Sequence, residues 1–377
     1  MNISTLPYSG RVSDALHEIF TNPLMGLIRI FSDAKIDKAQ SASCYLMLPL
    51  LLWLGLANPA SAELPGVTIS LPGPGAVAYL PIDLIPLIGA DKDEGQSVRL
   101  QHVSGGGIAL GNLSKRNVDF AVVGLPAFMS QRSKDIKVVG LAAASDLPLL
   151  VLLVRADLKK KIKSVADLKG RTVGVTTSSL TSKTAGQQLT ELVLRNAGLA
   201  LEDVRLVAAG QSWEENSNLL QTKGFDAIMT DATFASRMLA EGTMFTLLNL
   251  GDPVSASKIP GGRYLHATLG TREELLHQQP QLAEKMVRIL QRSLAWIASH
   301  SPEQIVEKLN ISDDQERKAL LSTLKAYPHM FSRDGKFSAS QLKETEVFFR
   351  KANPDDPAAQ TLQLKSMIDD RWAGSKP

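Results

Sequence analysis

Four loops that follow predicted strands are rich in glycine, serine and threonine, residue types that let a ligand approach the backbone closely. They cover residues 73–76, 104–107, 144–145 and 176–181. In open α/β sheets, ligands bind at the carboxyl ends of strands, where such loops lie. Two of the loops open predicted helices, whose free N–H groups favour a carboxylate, sulfonate or nitrate group. Any single loop is better explained as an ordinary turn, but the set across two matching halves favours a binding cleft.

Two side chains near the expected cleft could contact a ligand. Asp231 ends a predicted strand, and it accepts hydrogen bonds either from a ligand amine or from the helix that begins before Thr233. Trp213 lies in the first turn of a predicted helix, and it either packs against the protein or stacks on the ligand. The sequence leaves both alternatives open.

The sequence carries no common catalytic motif: Gly-x-Ser-x-Gly, His-Glu-x-x-His and the phosphate-binding lysine loop are all missing. Residues 73–78 resemble a dinucleotide-binding fingerprint, but Gln101 and His102 stand where the second strand should end in an acidic residue. The histidines beyond residue 63 are scattered, and each is expected on the surface or satisfied in the core: His102, His266, His277, His300 and His329. We therefore predict no catalytic activity, no cofactor and no metal site.

Predicted strands and helices alternate, which indicates crossover connections and a largely parallel sheet. Two β-α-β-α-β units follow each other, with strands at 67–71, 98–103 and 118–123 in the first unit and at 172–175, 204–208 and 224–231 in the second. An apolar strand at 147–155 joins the units, a return strand is predicted at 264–269, and helices follow from Pro280. Predicted N-terminal caps pair a serine with an acidic or amide residue three positions later: Ser164/Asp167, Ser212/Glu215, Ser301/Gln304, Ser312/Gln315 and Ser338/Gln341.

The beginning of the sequence is typical of a secretory signal peptide. An apolar run at 45–57 precedes Ala60-Ser61-Ala62, which predicts cleavage after Ala62 and a mature chain that starts at Glu63. This run is shorter than a membrane-spanning helix, which needs about 20 apolar residues. Met25 is a possible true start, and an uncut membrane anchor is the alternative. The one cysteine, Cys44, falls within this segment, and the net charge of +3 does not suggest nucleic-acid binding.

The order of these motifs resembles the nitrate/sulfonate/taurine family of ABC-transporter substrate-binding proteins, over residues 67–349. The most specific stretches are Ser-Val-Ala-Asp-Leu-Lys-Gly-Arg-Thr-Val-Gly-Val at 164–175, Gly-Phe-Asp-Ala-Ile-Met-Thr-Asp at 224–231 with Ala235-Ser-Arg237 after it, and Phe-Ser-Arg-Asp-Gly-Lys at 331–336. The family implies an α/β, two-lobed type II periplasmic-binding-protein fold: two three-layer α/β/α domains joined by two crossover strands, with a helical C-terminal tail. Lobe I would comprise residues 63–154 and 258–377, and lobe II residues 155–257.

Carried over by position, the resemblance implies ligand-binding residues from the loops of both lobes. They are Gly75, Ala76, Ser104, Gly105, Gly124, Ser145, Ser178, Ser179, Thr181, Trp213 and Asp231. Gly106 joins them because it opens a predicted helix together with Ser104 and Gly105. The stretches 73–79 and 89–95 depart from the family pattern near the cleft, so the ligand of well-known members does not transfer to this chain.

The resemblance also implies a function: the periplasmic solute-binding component of an ABC uptake transporter, which captures a small organic, anionic, sulfonate- or carboxylate-like solute between its lobes. The expected partners are this solute and an inner-membrane ABC permease, and the protein is expected to be a monomer without a cofactor. The alternative is a non-transport member of the fold, either an exported enzyme or a periplasmic sensor, acting on a pyrimidine-like or carboxylate metabolite. Pyrimidine synthases that resemble this family carry a cysteine-rich motif, which the predicted mature chain lacks.

Overall fold

The computed structural model describes residues 64–177, 179–180 and 184–376. The predicted signal peptide, with Met25 and the cleavage site, lies outside these residues, and so do Ser178 and Thr181. Within the described ranges, no helix is long and apolar enough to cross a membrane.

The first large sheet contains β1 (Gly66–Pro72), β2 (Ser97–Val103), β3 (Phe120–Val123), β4 (Val138–Ser145) and β10 (Ala267–Arg272). Its strand order is β2-β1-β3-β10-β4. β1 pairs in parallel with β2 and β3, whereas β10 runs antiparallel between β3 and β4. Phe120 and Val122 of β3 join one hydrophobic cluster and Ala121 and Val123 another, so both faces of the sheet are covered.

The second large sheet contains β5 (Leu150–Arg155), β6 (Thr172–Val175), β7 (Arg205–Ala208), β8 (Ala227–Asp231) and β9 (Met244–Asn249). Its strand order, β7-β6-β8-β5-β9, repeats the pattern of the first sheet. β6 pairs in parallel with β7 and β8, and β5 runs antiparallel between β8 and β9. We refer to the first sheet with its helices as lobe I and to the second as lobe II. A short third sheet pairs β11 (Phe337–Ser338) with β12 (Ser375–Lys376).

Helices connect the strands and form most of the C-terminal third of the chain. They are α1 (Leu80–Ile88), α2 (Gly106–Ser114), α3 (Leu125–Arg132), α4 (Ala185–Asn196), α5 (Trp213–Gln221), α6 (Ala232–Ala240), α7 (Pro253–Ala256), α8 (Glu273–Gln278), α9 (Pro280–Ser299), α10 (Pro302–Leu309), α11 (Asp314–Ala326), α12 (Ala339–Ala352) and α13 (Pro357–Thr361). The C-terminal helices contact both lobes: α9 packs against α1 and β4, α11 against α6, and α12 against α3 and α4.

The chain crosses between the two large sheets twice, from β4 to β5 and from β9 back to β10. The first crossing lies at residues 146–149, because β5 pairs with β8 and β9 of the second sheet, and the predicted lobe boundary after residue 154 falls within β5. The return strand begins at Ala267 rather than at residue 264, because the Tyr264 N–H still donates to the Gly261 carbonyl in a turn. The rest of the lobe division stays a prediction.

Three of the five predicted N-terminal caps are confirmed: the capping boxes that begin at Ser164, Ser212 and Ser301. The prediction for Ser312 is wrong, because Asp313 Oδ1 accepts the N–H groups of Gln315 and Glu316 instead. Ser338 precedes α12 as predicted, but its hydroxyl contacts the Ser340 hydroxyl and does not cap the helix.

Candidate functional site

A cavity of about 90 Å³, the central cavity, lies where loops of the two lobes meet. Lobe I contributes Pro72, Ala76, Ala78, Tyr79, Gly106, Gly124, Ala127 and His266. Lobe II contributes Leu150, Thr176, Thr184, Ala185, Gly186, Gln211 and Asp231. Most of these residues follow the carboxyl end of a strand, which is where α/β folds bind ligands.

Asp231 is the carboxylate of the central cavity, and it also caps a helix. It is the last residue of β8, and its Oδ1 accepts the Thr233 N–H at 2.8 Å, which begins α6. Burial raises the pKa of the Asp231 carboxyl to about 6, although the N–H and hydroxyl of Thr233 and the Val77 N–H act in the opposite direction. Val77 belongs to lobe I, so this carboxylate lies close to both lobes. Both roles considered from the sequence, cap and cavity wall, therefore meet at one residue.

Three aromatic side chains extend from Asp231 into lobe I. Burial and the charge of Asp231 raise the pKa of the Tyr79 phenol. The Tyr79 and His266 rings lie 6.2 Å apart, and the Tyr264 hydroxyl is 3.2 Å from His266 Nδ1. Burial lowers the pKa of His266 to about 4, so its imidazole is neutral at pH 7. Sequence reasoning expected His266 on the surface or in the core and did not single out Tyr79.

A polar wall from lobe II faces these aromatic residues. The Thr176 hydroxyl donates to the Met229 carbonyl at 3.2 Å, and Gln211 Nε2 donates to the Thr176 carbonyl at 3.2 Å. The Thr184 hydroxyl accepts the Gln187 N–H at 3.2 Å and thereby caps α4. These bonds hold amide and hydroxyl groups at the cavity in fixed positions.

Helix N-termini from both lobes open onto the central cavity. Gly106 begins α2, Gly124 precedes α3, and Ala185 and Gly186 form the first turn of α4. A Cβ atom on Gly124 would lie 3.1 Å from both the Ala185 Cβ and the His266 carbonyl oxygen, so the lobes are in close contact where Gly124 lacks a side chain. First-turn N–H groups without helical partners suit an oxygen acceptor.

A second cavity of about 150 Å³, the side cavity, lies beside the central one. Gly75, Trp213, Phe234, Arg237 and Glu316 are among the residues that line it. The Arg237 guanidinium stacks over the Trp213 ring at 4.0 Å from the ring centroid. The Trp213 and Phe234 rings meet edge to face, with their centroids 6.2 Å apart.

The structure places the residues implied by the resemblance in different surroundings. Ala76, Gly106, Gly124 and Asp231 line the central cavity, and Gly75 and Trp213 line the side cavity. A Cβ on Gly105 would lie 3.7 Å from Gln211 Nε2, which places this glycine next to the central cavity.

The other described residues of that set do not line either cavity. Ser145 pairs with Ala267 as the last residue of β4, and its fully buried hydroxyl donates to the Met330 carbonyl at 3.4 Å. Ser104 and Ser179 are exposed and are absent from the lining of both cavities. Ser178 and Thr181 fall outside the described residues.

The charges around the central cavity are few. Among the described residues that line it, Asp231 is the carboxylate and there is no lysine or arginine. Within the described part of the chain, no group of three His, Cys, Asp or Glu side chains could hold a metal ion. The described part of the site therefore places hydroxyl, amide, imidazole and backbone groups around the Asp231 carboxyl group.

A family model described as NMT1/THI5 like matches residues 92–305. No curated protein shows significant sequence similarity to the chain. Similar solved structures include a protein from Bordetella bronchiseptica RB50, with 20% identity, a TM-score of 0.73, and coverage of 82% of this chain and 95% of that one.

Two further structures of similar fold are those of solute-binding proteins. The alkanesulfonate-binding protein SsuA from Xanthomonas axonopodis pv. citri, bound to MOPS, has 14% identity and a TM-score of 0.63, with coverage of 82% of this chain and 99% of that one. The periplasmic nitrate-binding protein NrtA from Synechocystis PCC 6803 has 11% identity and a TM-score of 0.62, with coverage of 81% and 86%. At these identities the likeness establishes the two-lobed periplasmic-binding fold.

Proposed function

This chain belongs to the NMT1/THI5-like family, and from that premise we propose that it is the solute-binding component of an ABC uptake transporter. It captures a small organic solute between its lobes and delivers it to an inner-membrane permease. The protein acts in the periplasm as a monomer, after cleavage behind Ala62. It needs no cofactor for this role and does not bind nucleic acid.

The observation that carries this proposal is the central cavity, whose walls come from both lobes. A solute that contacts Tyr79 and Gly124 on one side and Asp231 and Gln211 on the other stabilises the closed arrangement over the open one. Binding and closure are then a single equilibrium, because the solute makes its full set of contacts only when the lobes meet.

The surroundings of the cavity also favour a solute with two different ends. The first turns of α2, α3 and α4 provide N–H groups for an acidic or carbonyl end, of the sulfonate or carboxylate type. Asp231 provides an acceptor for a donor-bearing end and disfavours a bare, highly charged anion. Amino-sulfonates, amino-carboxylates and pyrimidine-like compounds meet both conditions.

Native mass spectrometry of the protein purified from the periplasm, followed by a thermal-shift screen, tests this function. We expect a retained small organic molecule, and the same compound should raise the melting temperature of ligand-free protein. At 1,000 times its dissociation constant, a ligand stabilises the folded state by about 4 kcal/mol. If only inorganic cations or long sugars shift the melting temperature, the proposal fails.

An exported enzyme or a periplasmic sensor is the second candidate, and one feature favours the enzyme. Asp231 and His266 are both buried at the cavity with displaced pKa values, a combination that is frequent in active sites. Incubation of the purified protein with the solute it retains distinguishes the candidates. Conversion of the solute would favour an enzyme, and recovery of the unchanged solute would favour binding and delivery.

A further inference from the structure

The side cavity and the central cavity are neighbouring compartments. Three short segments, 75–76, 211–212 and 231–233, each place one residue in the lining of each cavity. The segment 75–76 belongs to lobe I and the other two to lobe II, so both compartments lie between the lobes. A solute in the central cavity therefore has a second compartment directly beside it.

The lining of the side cavity is rich in negative charge. Glu214 and Glu316 line it, and Arg237 is the positive side chain among the described lining residues. Arg237 is already engaged, because its guanidinium lies 3.6 Å from the Asp313 carboxylate and 3.7 Å from the Glu241 carboxylate. Glu316 forms no ion pair with a described residue, but the Arg237 charge lowers the pKa of its carboxyl against the larger effect of burial, which raises it. Two carboxylates and one guanidinium leave the lining of the compartment with a net negative charge.

Two further features of the side cavity suit a cation with a flat or apolar body. Trp213 and Phe234 line the compartment, and aromatic rings attract cations, as the Arg237 guanidinium already stacked on Trp213 illustrates. Thr233 is only 3% exposed and lines the cavity, and its hydroxyl lies against the Asp231 carboxylate, whose pKa it lowers. A hydroxyl that donates to a carboxylate keeps free lone pairs on its oxygen, so this oxygen can accept an N–H from a ligand.

We propose that the side cavity binds a positively charged nitrogen group of the transported solute, such as an ammonium, an amidinium or a protonated ring nitrogen. This inference rests on the proposed solute-binding function and adds the charge of one end of the solute. Glu316 and Glu214 balance the positive charge, the Thr233 hydroxyl accepts an N–H, and the aromatic pair covers the apolar part. The acidic or carbonyl end of the same solute faces the helix N-termini of the central cavity.

Benzamidine and benzamide provide a direct test, because they share one shape and differ in charge. Isothermal titration calorimetry measures both dissociation constants for the parent protein, for Glu316→Gln and for Glu303→Gln. Glu303 is the control: it is an exposed glutamate of α10 that pairs with Lys325 at 2.7 Å, away from both cavities. Thermal melts establish that all three proteins are folded.

We expect the parent to bind benzamidine at least about tenfold more tightly than benzamide, the size of effect typical of a charged hydrogen bond. Glu316→Gln should bring the ratio close to one without weakening benzamide, and Glu303→Gln should keep it. No binding of benzamidine, equal binding of the two compounds, or an unchanged ratio in Glu316→Gln overturns the proposal. The proposed solute-binding function would still hold after such a result if the retained solute decreases the radius of gyration of the protein in small-angle scattering.

Discussion

At the scale of single residues, Asp231 both caps α6 and lines the central cavity, and its burial there affects the stability of the folded state. A buried carboxyl group with a raised pKa is more stable when protonated than when ionised. The folded state binds its proton up to about pH 6, whereas the unfolded chain releases it near its usual value of 3.8. Stability is therefore lost as the pH rises through this window, and the loss is complete above pH 6.

Asp231→Asn should be more stable than the parent at pH 7, by up to about 3 kcal/mol, because the amide keeps the cap without the buried charge. The gain should vanish at pH 3.5, where the parent carboxyl is protonated. The same variant should bind the solute at least about tenfold more weakly. Urea unfolding at several pH values, with parent and variant compared at each pH, measures the effect.

Parent and variant must be compared at the same pH because His266 makes the stability of the protein change with pH in the opposite direction. Its pKa is lowered from 6.5 to about 4, so the unfolded chain binds the proton first and stability falls as the pH drops through that range. Asp252→Asn is the matched control, since Asp252 caps α7 at 2.9 Å without being buried. A loss of stability in Asp231→Asn at pH 7 would contradict the buried charge of Asp231. An unchanged affinity for the solute would contradict its role in binding.

The sequence identifies part of this site and misses the rest for a physical reason. Asp231 and Gly124 are recognisable because each stands at the end of a predicted strand. Tyr79 and His266 are not, because they meet only after β10 returns to the first sheet between β3 and β4. Ser145 also ends a strand, but it pairs with Ala267, and its hydroxyl bonds to the Met330 carbonyl, away from the cavity.

At the scale of elements, helix N-termini of both lobes lie at the central cavity. Their caps are local features, and so the sequence predicts most of them, as at Ser212 and Ser301. It fails at Ser312 because the neighbouring Asp313 is a competing cap, and its carboxylate accepts two N–H groups. Local chemistry of this kind predicts the type and approximate start of an element, whereas the pairing order of the strands depends on distant segments.

Thr184→Ala and Ser301→Ala remove comparable caps from α4 and α10, and each should lower the free energy of unfolding by about 1 kcal/mol. Only Thr184 lines the central cavity, where its hydroxyl holds the first turn of α4 in place. Thr184→Ala should therefore weaken solute binding at least about threefold, whereas Ser301→Ala should not. Urea melts measure the loss of the cap, and calorimetric titrations measure the loss of solute affinity. Equal affinities for both variants would show that the first turn of α4 does not bind the solute.

At the scale of the whole molecule, the two β-α-β-α-β units predicted from the sequence become two lobes that meet at a shared cavity. The predicted family and fold are confirmed by the family model and the similar structures. The predicted lobe boundary after residue 154 stays a prediction; β5, which contains this residue, is an antiparallel strand of the second sheet, and its apolar sequence does not reveal its partners. Register and pairing partners are long-range properties that one apolar run cannot specify.

Gly124→Ala should hinder closure, because the new Cβ would lie 3.1 Å from the Ala185 Cβ of lobe II. We expect the solute affinity to fall about tenfold or more through overpacking at this contact. Adding Ala185→Gly should restore part of the affinity by removing one of the two opposing atoms; the other, the His266 carbonyl oxygen, is also 3.1 Å from the new Cβ and stays in place. Gly111→Ala is the control: it lies in α2 with no atom within 4 Å of the added Cβ, and it should leave affinity unchanged. Wild-type affinity in Gly124→Ala would contradict closure at this contact.

Processing of the N-terminus is a further prediction about the whole chain. Expressed with residues 1–62 in a Gram-negative host, the protein should appear in the periplasmic fraction with Glu63 as its first residue. N-terminal sequencing of the purified product provides the measurement. A membrane-bound product that retains Tyr45 would show that the apolar segment is an anchor.

Small-angle scattering with and without the retained solute tests most directly whether the lobes close on a ligand. The protein is stripped of solute by mild denaturation and refolding, and the solute identified by native mass spectrometry is then added back. We predict that the radius of gyration decreases on addition, with a midpoint at the dissociation constant measured by calorimetry. Tight binding with an unchanged radius would contradict capture of the solute between two closing lobes.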